Sequence, residues 1–426
     1  MLNRSHAPSI KDAIEYHIEL KKPDQFKLDN GVNVYNVQAG TEEVVQIEWV
    51  FKAGNWFEEK KLVASAANFL MKNGTSKKSA YEINEFVDFY GAYLNRSCYN
   101  ETAVVTLHCL TKQLEYLLPL VQEIFMDAVL PQDELMIYQQ NMKQRLAVNL
   151  KKCDFVAGRK IDALLFGEKH PYGVFSEMND YDALQQEELK TFYESFYKNG
   201  HCTIFSAGIL PVGYEKLLNS YFGQLPFNKT IVSKATHVIQ PSPQKKWNIL
   251  NDPDGVQAAI RIARPCPIPS DPEFPKLQVL NVLFGGFFGS RLMTNIREDK
   301  GYTYGIYSYM MNHLHESAIL ISTEAGRDVC EATVKEVYYE MEQLKKGEIE
   351  KDELLLVKNY LIGTLLGDLD GPFHIISRWK NLILHGMTES QFYYAVETIK
   401  TIQAKELKQL AEKYLNPSEF YELVVV

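Results

Sequence analysis

The six cysteines of this chain, Cys98, Cys109, Cys153, Cys202, Cys266 and Cys330, include no C-x-x-C pair. Scattered through 426 residues, they argue against a disulfide framework and read as buried thiols of a reducing compartment. No apolar run approaches the length of a membrane-spanning helix, so membrane insertion is not expected. Met1 to Tyr16 is polar and charged, without the apolar stretch of a secretory signal, and a cytoplasmic location is the expectation. No basic block stands out, and 45 Lys and Arg against 54 Asp and Glu leave a net charge of −9. That balance argues against a nucleic-acid partner. An acidic surface suits basic peptides, although ordinary solubility explains it equally well.

The chain holds 46% hydrophobic and 23% charged residues, a globular composition, and it is too long for one ordinary core. Two segments echo each other. Glu101-Thr-Ala-Val-Val105 starts a strand-like run, Leu114 to Phe125 reads as an apolar helix, and Pro131-Gln-Asp-Glu-Leu-Met136 opens another helix. Glu316-Ser-Ala-Ile-Leu320, Ala332 to Leu344 and Lys351-Asp-Glu-Leu-Leu355 repeat that order at nearly equal spacing. Asp133 and Asp352 are expected as N-caps or first-turn acids. Such an echo points to a duplicated domain. The polar, Pro-containing stretch around Gln240-Pro-Ser-Pro-Gln-Lys-Lys246 reads as a linker. The expected division is residues 1–227, a linker at 228–247, and residues 248–426.

Several segments together resemble peptidase family M16, the insulinase or pitrilysin-like group. They are Leu28-Asp-Asn-Gly-Val-Asn-Val-Tyr35, Val50-Phe-Lys-Ala-Gly54, Gly74-Thr75, Gly91-Ala-Tyr-Leu-Asn-Arg-Ser97, His170-Pro-Tyr-Gly173 and, most specifically, Gly289-Ser-Arg-Leu-Met-Thr-Asn-Ile-Arg-Glu-Asp-Lys-Gly-Tyr-Thr-Tyr304. The resemblance implies an α+β fold: two homologous M16-type domains (LuxS/processing-peptidase-like metallohydrolase), each an antiparallel-rich sheet packed with helices. It also implies the family's short branch, in which two subunits pair around a chamber.

Active members of that family carry H-x-x-E-H on the helix before Gly-Thr. Two histidines one turn apart grip Zn²⁺, and the glutamate between them is the general base. Counting back from Gly74-Thr75, the motif falls on Ser65-Ala-Ala-Asn-Phe69. Ser65 and Phe69 replace the histidines and Asn68 replaces the base; none can do the original work. The third ligand, a glutamate some seventy residues later, is also missing, since Leu135 to Cys153 contains no acid. His313-Leu-His315 is the one close histidine pair in the chain and reads as a solvated loop. No cofactor is expected in this chain, and zinc is expected in a partner.

The family's second half contributes an Arg and, seven residues later, a Tyr to the scissile carbonyl. The matching residues are Arg297 and Tyr304, both donors suited to an oxyanion. Pairing of Arg297 with Glu298 or Asp299, and a packing role for Tyr304, are the plainer alternatives. The glycines Gly285, Gly286 and Gly289 are expected beside substrate. Asn95, Arg96 and Ser97 are expected on an edge strand that accepts extended peptide, with an ordinary hairpin as the alternative. Tyr302, Tyr304, Tyr307 and Tyr309 alternate, placing the first two on one face and the last two on the other, with most of them in packing roles.

These readings converge on a non-metal subunit of a heterodimeric M16 zinc metallopeptidase, inactive alone. Its partners would be an H-x-x-E-H subunit and unfolded peptides, with a homodimer also open. The alternative is a purely structural or peptide-binding protein of the same shell, in which Arg297 and Tyr304 are vestigial.

Overall fold

The computed structural model describes residues 11–229 and 236–426; residues 230–235 of the expected linker lie outside it. The chain divides into two compact units. The first comprises the described residues of Lys21–Pro243 together with Gly371–Lys380. The second comprises residues 11–20, Gln244–Asp370 and Asn381–Val426.

The first unit is built on six strands: β1 (Asp24–Lys27), β2 (Asn33–Gln38), β3 (Val44–Phe51), β4 (Tyr93–Cys98), β5 (Ala103–Leu110) and β6 (Cys202–Gly208). Their order in the sheet is β1-β2-β6-β3-β5-β4. Central β3 is almost wholly buried, and its alternation decides the core. Val45, Ile47, Trp49 and Phe51 join the main apolar cluster. The Trp49 and Phe51 rings meet Phe125 of α3 (Leu114–Asp127) at 5.7 and 5.2 Å between centroids. Burying each such side chain contributes about 2–3 kcal/mol. The other face of β3 carries Gln46, Glu48 and Val50, also buried. Glu48 is neutralised there by Lys380 at 2.6 Å, a residue supplied by the Gly371–Lys380 segment.

The second unit holds β7 (Lys246–Ile249), β8 (Gln257–Cys266), β9 (Thr303–Asn312), β10 (Ser317–Gly326) and β11 (Tyr421–Val425) in the order β7-β11-β8-β10-β9. Without β1, the two sheets have the same plan. β2 runs parallel to β6 and β7 parallel to β11, while the remaining pairs are antiparallel. The helices repeat as well. α3 and α4 (Gln132–Asn149) follow β5, as α10 (Cys330–Lys346) and α11 (Lys351–Gly367) follow β10. Asp133 and Asp352 are both first-turn acids rather than N-caps. The echo read in the sequence is therefore a duplicated α+β fold.

Two segments of the expected linker have definite structure. Gln240 and Ser242 donate their backbone N–H groups to Phe166 and Leu164 at 3.1 and 2.9 Å. Lys246 and Trp247 are already in β7.

Candidate functional site

The degenerate motif lies on α1 (Val63–Leu70) of the first unit. Ser65 donates its hydroxyl to the Leu62 carbonyl at 3.1 Å. Asn68 is buried and donates its amide to the Tyr197 hydroxyl at 3.1 Å. Phe69, about one third exposed, meets the Tyr138 ring of α4 at 5.0 Å. The α4 residue facing the motif is thus an aromatic where a metal would need a carboxylate. The Arg96 guanidinium also lies over the Phe69 ring, 4.4 Å from its centroid. Cation–π and aromatic contacts thus hold Phe69 in place. Among the described residues, no group of three or more His, Cys, Asp or Glu is placed to share a metal ion. His313 and His315 lie in the turn between β9 and β10.

Upstream of α1, the half-buried Glu58 carboxylate accepts the backbone N–H groups of Leu62 and Ala64 at 3.2 and 2.9 Å. Removal from water pushes its pKa up to about 7, against the opposing pull of those two bonds. The neighbouring Cys98 thiol is pushed up to about 12 by burial and by Glu58, and stays neutral. Glu58 carried no signal in the sequence, because its burial depends on how the 53–62 turn folds over α1.

Gly74 and Thr75 follow α1 after a short turn. Gly74 has φ +151°, and a β-carbon there would meet Pro131 at 3.0 Å. Thr75 hydrogen-bonds Glu123 and accepts the N–H groups of Lys77 and Lys78. The His170–Gly173 turn is buried. Its Tyr172 hydroxyl binds Glu101, and its His170 ring lies 5.6 Å from Trp56.

Asn95, Arg96 and Ser97 lie on β4, the outermost strand of the first sheet, paired only to β5. They stand on an edge strand that is also one arm of the β4–β5 hairpin. Arg96 turns toward α1, donating Nε to the Phe69 carbonyl at 2.5 Å and Nη2 to Asn73 at 3.0 Å.

In the second unit, Arg297 and Tyr304 are brought together. Arg297 sits on a π-helical turn, Met293–Asp299, and its Nε donates to the Tyr304 backbone carbonyl at 2.8 Å. Its guanidinium lies 4.6 Å from the Phe288 ring centroid and 5.7 Å from that of Tyr304. Glu298 stands 4.0 Å away, too far for a hydrogen bond. Tyr304 itself is 94% exposed. The cause is a β-bulge: Ile306 faces Thr323 and Thr303 faces Ala325, so Tyr304 and Gly305 share one partner position. Strict alternation fails at that point. Tyr304, Tyr307 and Tyr309 are all exposed, and the packing role expected for most of the run is not what the fold gives them.

The glycine-rich segment joins this cluster through Phe288, which the sequence reading passed over. Gly285 is buried, and a β-carbon there would come within 2.8 Å of Leu292 and Ser308, so its smallness serves close packing of the π-helical turn Val282–Gly286 on β9. Gly286 is similarly tight, 3.0 Å from Val282. Gly289 lines a cleft of about 770 Å³ with Arg291, Asn295 and Lys300. Its two cations are already engaged: Arg291 binds Glu353 at 2.7 Å, and Lys300 pairs with Glu336 at 3.1 Å.

Residues 34–166 match the family described as "Insulinase (Peptidase family M16)", and residues 183–361 match "Peptidase M16 inactive domain". The chain belongs to peptidase family M16. It is 22% identical over 366 residues to a Bacillus subtilis protein described as "Uncharacterized zinc protease YmxG", covering 85% of this chain and 88% of that one. It is 23% identical over 242 residues to another B. subtilis protein, "Probable inactive metalloprotease YmfF", covering 55% of each. The crystal structure of a peptidase M16 inactive domain from Pseudomonas fluorescens superposes with a TM-score of 0.84 at 21% identity, over 95% of this chain and 98% of that one. This M16 chain therefore has the family's fold and an inactive-type domain. No helix among its described residues is long and apolar enough to cross a membrane.

Proposed function

We propose that the chain is the non-metal subunit of a heterodimeric M16 zinc metallopeptidase. It binds unfolded peptide and supplies Arg297 and Tyr304 to the oxyanion formed at a partner's zinc site. The observation that carries this reading is the Arg297–Tyr304 arrangement. One guanidinium N–H is fixed on a backbone carbonyl, while the remaining donors and the exposed phenol are left for substrate. The partner is an H-x-x-E-H subunit, which would hold the zinc that α1 here is unfitted to hold. Alone, the chain should not cleave peptides. A homodimer remains compatible with the same surfaces. The cytoplasm is the compartment proposed, in keeping with its dispersed cysteines.

A tagged pull-down from native cells tests the proposal, with the eluate assayed on a quenched peptide with and without chelator. A co-purifying H-x-x-E-H subunit and chelator-sensitive cleavage, reduced by Arg297→Ala, are the expected result. A silent eluate without such a subunit supports the second reading, a structural or peptide-binding M16 shell. That reading draws on the contacts Arg297 already makes with Phe288 and Tyr304, which would then be its whole role.

A further inference from the structure

Both sheets end in an edge strand, but the two edges differ. In the second unit, two groups on the outward side of β9 are already used: Asn281 donates to the Ser308 carbonyl at 3.0 Å, and the Ile306 N–H meets the Met293 sulfur at 3.4 Å. In the first unit, the Tyr99 N–H donates to Thr102 across the β4–β5 hairpin at 2.8 Å, which fixes the parity of the ladder. Tyr93, Asn95 and Ser97 must then bond to β5, and the backbones of Leu94, Arg96 and Cys98 face outward. Lys72 caps the Leu94 carbonyl at 3.0 Å. Among the described residues, the backbone N–H and C=O groups of Arg96 and Cys98 have no partner on that side.

Two cations at this edge hydrogen-bond no carboxylate, although the Asp88 charge acts on Lys72 from nearby. Arg96 is half-buried and has no carboxylate bound to it; its partners are the Phe69 carbonyl, the Asn73 side chain and the Phe69 ring. The Glu134 carboxylate is spent on the far side of Asn73, at 2.7 Å. Lys72 is also half-buried and binds a carbonyl rather than an acid. Burial holds the Arg96 pKa down to about 10 and draws the Lys72 pKa below its ordinary range, with Arg96 adding to the pull on Lys72. Arg96 at that value still carries its charge at neutral pH. Two of the five guanidinium N–H groups of Arg96 are engaged, so three remain for a ligand. Planar forked donors suit a carboxylate.

We propose that Arg96 and Lys72 form a receptor for the free C-terminal carboxylate of an extended peptide added to the outer edge of β4. The backbone of Arg96 and Cys98 would pair with the peptide's main chain, and the two cations would select its charged end. This rests on the reading of β4 as a peptide-accepting strand, and it narrows the ligand to peptides that end there.

The test is fluorescence anisotropy with the full chain and a labelled, unstructured peptide of about ten residues, made once with a free terminal carboxylate and once as the amide. The acid form should bind at least about tenfold more tightly, and in Arg96→Gln and in Lys72→Met the affinity for the acid should fall to that for the amide. A thermal melt of each variant checks separately that it is folded. Equal binding of acid and amide by the parent chain would overturn the carboxylate receptor and leave peptide capture standing. A preference that survives both substitutions would overturn it too. Binding of neither peptide would remove the receptor together with the reading of β4.

Discussion

Arg297 and Tyr304 are joined through the backbone: the arginine Nε holds the tyrosine's carbonyl oxygen at 2.8 Å, while the tyrosine side chain stands in solvent. The position of the guanidinium therefore does not depend on the phenol. Tyr304→Phe should leave the melting temperature unchanged, since the hydroxyl is exposed. In the heterodimer proposed above, it should lower kcat by about tenfold to a thousandfold, the range for loss of one oxyanion donor. Cleavage of a quenched peptide at saturating concentration, beside a thermal melt, checks both parts. Unchanged kcat would assign Tyr304 to the scaffold.

Glu58 should make stability fall as pH rises. Its folded pKa of about 7 lies above the ordinary 4.5, so between those values the native state binds more protons than the unfolded chain. The contribution is full below the unfolded pKa and is lost as pH rises through the folded one. The loss should be on the order of 2 kcal/mol between about pH 5 and pH 8, after allowance for partial exposure. Urea unfolding across that range measures the slope. Glu58→Gln should flatten it, and a slope that persists in the variant would move its origin to another group.

Lys380 neutralises Glu48 at a buried position on β3. Lys380→Met leaves that carboxylate without its counter-charge and should cost about 3 kcal/mol in urea unfolding. Adding Glu48→Leu should recover most of the loss, because the penalty comes from the unpaired charge. No recovery in the double variant would mean that the lysine stem, rather than its charge, holds the segment.

Restoring the motif alone should not restore a metal site. Ser65→His/Asn68→Glu/Phe69→His places two imidazoles on α1, but Tyr138 still faces them and α4 offers no carboxylate from Leu135 onward. Metal analysis after dialysis should find little zinc in the triple variant. Adding Tyr138→Glu should raise zinc retention, since a third ligand completes the protein's share of a catalytic site. Full retention by the triple variant would show that another side chain supplies the third ligand.

The duplicated plan was legible because it depends on local chemistry. The apolar spacing of Leu114 to Phe125 and the strand-like run before it form the same elements in the fold, and their echoes do so in the second unit. The edge position of Asn95, Arg96 and Ser97 was read through the family resemblance. The tyrosine run was misread, since alternation assumes a regular ladder and the bulge at Tyr304 and Gly305 breaks it.

By itself, the sequence determined that Ser65, Asn68 and Phe69 stand where the family's motif would fall, residues poorly suited to hold zinc or accept a proton in any conformation. It also determined the two-fold repetition of strands and helices, which periodicity carries. Only the tertiary structure decided what surrounds Phe69, since Arg96, Phe69 and Tyr138 come from β4, α1 and α4, far apart in the chain. It likewise decided that Gly371–Lys380 packs in the first unit, where the buried charge of Glu48 meets its counter-ion. Such choices turn on burial and long-range charge pairing, and neither exists until the chain has folded.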